Sequence, residues 1–223
     1  MKISDSKYED LKVNYTKYIS YLEKIHESFG GPSVHFHGRA LEEGKMQFLS
    51  NTHLEMTYAV LASWGMHRMG NTKTKMVGYS QFQESILQFE TQLRQLKDLQ
   101  IQDFKTEPFD VFEKLVELCF AFKVSVSESK LVGNSKTLAH ILPNLVPPID
   151  RQYTIRFFSE NLFNFRGDEE IKYFRHIISR MYQFTEVIRE DRSISLDLIF
   201  NTSYPKIFDN LIMAYIKTNN NNE

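Results

Sequence analysis

Leu11, Tyr15, Tyr18, Leu22, Ile25 and Phe29 follow one another at spacings of 4, 3, 4, 3 and 4 residues. An α-helix turns once every 3.6 residues, so this spacing lays the apolar groups along one stripe. The period returns in Phe82, Ile86, Phe89, Leu93 and Leu96, and again in Ile171, Phe174, Ile178 and Met181. Only 9 Gly and 6 Pro occur in 223 residues, too few for the turns of an all-β chain. The pattern predicts an all-α fold. It also explains the 18 Phe and 11 Tyr, which fill stripes that Leu usually fills.

Local signals divide the chain into roughly eight helices. Ser6 with Glu9, Thr52 with Glu55, and Ser80 with Gln83 fit capping boxes at the starts of three of them. The spacing predicts helices over about 8–29, 52–69, 80–102, 109–122, 134–142, 150–162, 168–189 and 205–217. Residues 32–50 read as irregular, with Gly38 and Gly44 interrupting the pattern, and 123–127 as a fraying helix end or a short strand. We expect one helical domain over 1–218, with two lobes (1–103 and 108–218) as the alternative. Residues 219–223 read as a disordered Asn-rich tail.

Composition narrows the function classes. A net charge of −1 removes the basic excess of a dedicated nucleic-acid binder. The single cysteine, Cys119, excludes internal disulfides and multi-cysteine metal sites, and its apolar neighbours predict burial. No apolar run is long enough to span a membrane and no signal peptide is recognisable, so a cytoplasmic protein is expected. No motif names a cofactor or a metal. His35 and His37 form a His-x-His pair that could hold a metal from a strand, but no third ligand is identifiable. Trp64-Gly65-Met66 suggests close packing at a helix end, with a ligand-stacking Trp as the other reading.

Residues 130–156 stand apart. They contain three of the six prolines and carry a local charge of +3, against −4 over 81–128. Gly133, Asn134 and Ser135 at a helix start would present free N–H groups to an anion, with Lys136 adding charge. A plain capped helix with a solvated lysine is the competing reading. Asp150 follows a rigid proline segment, which fixes a carboxylate either as a helix cap or as a ligand-binding group. Arg151 and Arg156 extend the basic character.

The Ser135-Lys136, Leu142-Pro143 and Pro148-Ile149-Asp150-Arg151 pattern resembles a segment shared by uncharacterised bacterial and archaeal helical proteins. More remotely, Val132-Gly133, Lys136-Thr137, Ile149-Asp150 and Arg156 are similar in order to the helix-hairpin-helix DNA glycosylases. That resemblance implies a Gly133 hairpin against a DNA phosphate, Lys136 as amine nucleophile and Asp150 as the essential carboxylate. The hairpin's second glycine is absent, and Asn134-Ser135 adds a residue before the lysine. Two functional expectations follow. One is a site for nucleic acid or another phosphate-bearing ligand, with Lys136 and Asp150 as catalytic candidates and Gly133, Asn134, Ser135, Arg151 and Arg156 as anion-binding ones. The other is a non-catalytic interaction module, associating with itself or a partner through aromatic helices 8–29 or 80–100.

Overall fold

The computed structural model describes residues 3–27, 30–67, 74–159, 167–191, 194, 196 and 201–220. Those residues form ten α-helices: α1 (Ser6–Glu27), α2 (Pro32–Met46), α3 (Asn51–Leu61), α4 (Tyr79–Leu87), α5 (Glu90–Leu96), α6 (Phe109–Ala121), α7 (Leu131–Ile141), α8 (Arg156–Phe158), α9 (Asp168–Ile188) and α10 (Tyr204–Asn220). A π-helical turn, Ala62–Met66, extends α3, and a second one, Arg151–Ile155, leads into α8. Among the described residues there is no strand; Met76 and Ser125 form an isolated antiparallel bridge. The fold is all-α, with somewhat more helices than the periodicity predicts.

One apolar cluster runs from Tyr8 in α1 to Ile216 in α10. The stripe of α1 lies against α10 and α9, with the Tyr18 and Tyr215 rings 5.0 Å apart and Tyr15 meeting Phe184 edge-on at 6.1 Å. Asp5, just ahead of α1, ties its start to α9 by accepting from Arg180 and His176. The described aromatic groups of α1 are thus largely spent inside the fold. The same holds for 80–100, where Phe82, Ile86, Leu93 and Leu96 are buried. Exposed apolar side chains, such as Val13, Met46, Phe109 and Val126, sit singly on separate segments.

Several boundaries differ from expectation. Residues 32–46 are helical: Pro32 occupies the first helical position, where its missing N–H has no cost. Gly44 is required there rather than disruptive, because a Cβ would lie 2.8 Å from His53 Nε2. α3 starts one residue earlier than Thr52, capped by Ser50 Oγ, which accepts from the His53 N–H. The helix expected over 80–102 breaks at Phe89, whose ring turns in to meet Phe122. α7 begins at Leu131, three residues before the expected start. α10 runs to Asn220, into the segment read as a disordered tail. The ends of the helices expected over 52–69 and 150–162, and residues 221–223, lie outside the described residues. No helix among the described residues is long and apolar enough to cross a membrane.

Candidate functional site

The site begins with α7, which is buried along nearly its whole length. Its start is capped by a carboxylate from α9: Glu170 accepts from Ser129 Oγ at 2.6 Å, the Lys130 N–H at 3.1 Å and the Leu131 N–H at 3.3 Å. The anion expected at this helix start is therefore a side chain of the protein itself. Three of the residues expected to bind an anion make contacts within the fold. Gly133 lies inside the helix, packed against Met66 and Val124, and not in a hairpin. Asn134 Nδ2 donates to the Cys119 and Phe122 carbonyls, closing the end of α6. Ser135 Oγ accepts from the Ile149 N–H at 3.2 Å, which docks the proline segment onto α7.

That last bond sets the register of the site. With residue 149 held against residue 135, the next residue on each side comes face to face. Lys136 Nζ donates to Asp150 Oδ2 at 2.8 Å. Asp150 also caps the second π turn, its Oδ1 accepting from the Gln152 N–H at 2.7 Å. Asp150 is thus a helix cap, and it also lines the cleft described next. Lys136 and the hydrogen bonds to Asp150 hold its carboxyl below the ordinary value, against burial, which acts the other way and is the largest influence. Arg151 and Arg156 are exposed and line no part of the cleft described next; the Arg156 carbonyl instead accepts from Lys7 Nζ.

Lys136 and Asp150 share a cleft of about 550 Å³ with residues from three other elements: His37 of α2, Trp64 of the first π turn, and Lys206 and Asp209 of α10. Lys206 Nζ donates to Asp209 Oδ2 at 2.6 Å, one helical turn along α10. Burial raises the Asp209 carboxyl, opposed by Lys206 and reinforced by the charge of Asp150. The two ammonium groups approach one indole: Lys136 Nζ is 5.5 Å and Lys206 Nζ 6.0 Å from the Trp64 ring centre. Gly65, at φ +82°, allows the sharp turn that follows the Trp.

Behind Trp64 runs a histidine relay whose tautomers follow from its partners. A carbonyl only accepts, so His140 Nδ1 carries the proton it donates to the Lys136 carbonyl at 2.8 Å. Burial lowers the His140 pKa to about 4 and the His37 pKa to about 2, so both rings are neutral near pH 7. His140 Nε2 is then an acceptor, and His37 Nδ1, 2.9 Å away, donates to it. His37 Nε2 is left as a bare acceptor, buried and without a hydrogen-bond partner among the described residues. His35 is exposed while His37 is buried, because positions two apart diverge on a helix. The His-x-His metal geometry is therefore absent, and no group of three or more metal-ligating side chains occurs among the described residues.

A second groove, of about 780 Å³, is lined by Lys45, Phe48, Arg94 and Lys97. Two of its three cations form local pairs, Arg94 with Glu90 and Lys97 with Asp98. The smaller cleft is the stronger candidate, since it alone of the two combines desolvated ion pairs with a bare buried acceptor. Lys206, Asp209 and His37 were not joined to it by sequence reasoning. The one local signal is a Lys–Asp pair three apart in the otherwise mostly apolar first half of α10. No protein-family model, curated protein or solved structure matches this chain.

Proposed function

We propose that the cleft binds a small anion-bearing molecule, held by Lys136 and Lys206 against the indole of Trp64, with the Lys136–Asp150 pair as its reactive centre. One observation carries the reading: two lysine–aspartate pairs from distant parts of the chain converge on the only tryptophan, in a cleft of ligand size. Burying two ion pairs is costly for stability alone. An ammonium held beside an ionised carboxylate can donate a hydrogen bond or a proton to a bound group and stabilise negative charge on it, so the pair suits general-acid or electrostatic chemistry. A small ligand fits better than a nucleic acid. Arg151 and Arg156 lie away from the cleft, and Glu170 fills the helix start where a backbone phosphate would bind.

Trp64 is the single tryptophan, so emission excited at the red edge of the band, where the 11 tyrosines do not absorb, reads this cleft. Iodide should quench it more efficiently than caesium, and Lys136→Met or Lys206→Met should lower iodide quenching and raise caesium quenching. Caesium matching or exceeding iodide in the unaltered protein refutes the anion reading. A salt-sensitive gel shift with duplex or single-stranded DNA would favour a nucleic-acid substrate instead.

A further inference from the structure

A small void of about 10 Å³ lies behind Trp64, bounded by His37, His140, Ser203 and Lys206 among others. It shares His37, Trp64, Pro148 and Lys206 with the cleft of about 550 Å³, which it adjoins, and Leu41, His140, Pro143 and Thr202 with the groove of about 780 Å³. The void's size suits one polar atom, about the room that a single water needs. His37 lines the void, and its buried Nε2 is a bare acceptor by the tautomer argument above.

We propose that this void is the inner end of the binding site, and that the ligand places a single hydroxyl or N–H group there to donate to His37 Nε2. The inference rests on the anion-binding reading of the cleft and narrows its ligand to a small molecule carrying both an anionic group and a hydrogen-bond donor. The relay makes the requirement strict. His37 cannot turn its N–H toward the ligand without breaking its bond to His140. His140 cannot take the other tautomer without losing the Lys136 carbonyl. A ligand with a methyl group in place of the donor would leave Nε2 unpaired and desolvated. Sites built around a buried polar group reject such analogues strongly. His37 is thus a specificity-determining residue that acts by accepting, not by charge.

Matched aromatic acids test this: 4-hydroxybenzoate against 4-methylbenzoate, and the corresponding 3-substituted pair, titrated by Trp64 fluorescence. The hydroxy acid of at least one pair should bind tenfold or more tightly than its methyl partner. The same hydroxy acid should move the imidazole ¹⁵N resonance of His37 Nε2 toward its hydrogen-bonded position. His37→Asn keeps a donor toward His140 but has no Nε2, and it should bring the two acids to parity. If that variant does not fold, the ¹⁵N measurement on the unaltered protein still decides. Equal affinities, a preference that survives His37→Asn, or an Nε2 resonance already hydrogen-bonded to resident water and unmoved by the hydroxy acid each overturn the inference. Failure of every acid to bind overturns it too, while the iodide comparison judges the anion reading separately.

Discussion

Lys136 and Asp150 differ in how far each is removed from water, and the difference sets the cost of losing either one. The Lys136 side chain is 8% exposed and that of Asp150 32%. Removing the carboxylate strands a desolvated ammonium and uncaps the second π turn, whereas removing the ammonium leaves a carboxylate that water can still reach. Asp150→Ala should therefore cost about 3 kcal/mol, near the lower end for breaking a buried pair. Lys136→Met, which keeps the aliphatic stem against Trp64, should cost about 1 kcal/mol, closer to an exposed pair. Urea unfolding of both variants and the double mutant checks the order. Equal costs would mean the pair is solvated from both sides. Lys136 and Asp150 were legible as candidates because charge and proline are concentrated around them. Their roles were only half legible, since the hydrogen bond from Ile149 to Ser135 that aligns them is a tertiary contact with no periodic signature.

Helices show where pattern reading works and where packing overrules it. α1 and α9 are long and strongly periodic, and their stripes were visible at once. α2 was missed because two glycines lower its apparent propensity, yet the two are not equivalent. Around Gly38 an added Cβ would meet nothing within 4 Å, while at Gly44 it would press on His53. His53 has little room to yield, since Nδ1 accepts from the Leu49 N–H and Nε2 donates to the His140 carbonyl. Gly38→Ala should stabilise the protein by about 0.5–1 kcal/mol through helix propensity. Gly44→Ala should destabilise it by about 1–3 kcal/mol through overpacking. Thermal unfolding of the two variants separates these effects. A shared direction would show that the α2–α3 contact is not tight. The start of α7 misled for a related reason: Glu170, which marks it, lies 40 residues downstream, beyond any local capping pattern.

Across the whole molecule, burial acts on histidines in one direction. His37, His53, His140 and His176 all have pKa values lowered, chiefly by desolvation. Above about pH 6.5 neither the folded nor the unfolded state protonates these rings appreciably. Below it the unfolded chain takes up protons that the folded one refuses, so stability falls. His140 contributes up to about 1.4 kcal/mol per pH unit down to about 4, and His37 does so down to about 2. Asp5 and Asp150, whose values are lowered, add to the loss only below the ordinary carboxylate range, and Asp209, whose value is raised, partly opposes it. The urea midpoint should drop between pH 7 and pH 5, and by less in His37→Asn. A flat profile over that interval would contradict the neutral relay.

The pairing of α1 with α10 also has a bearing on how the chain is made. About 180 residues separate the end of one helix from the start of the other, and a ribosome adding roughly 5–20 residues per second needs about 10–35 s to cross that distance. Throughout that interval the nascent chain carries Tyr18 without its ring partner Tyr215, while Phe158 and Phe184, which meet Tyr8 and Tyr15, emerge sooner. Of the described helices, α1 is the one that waits longest for its last partner.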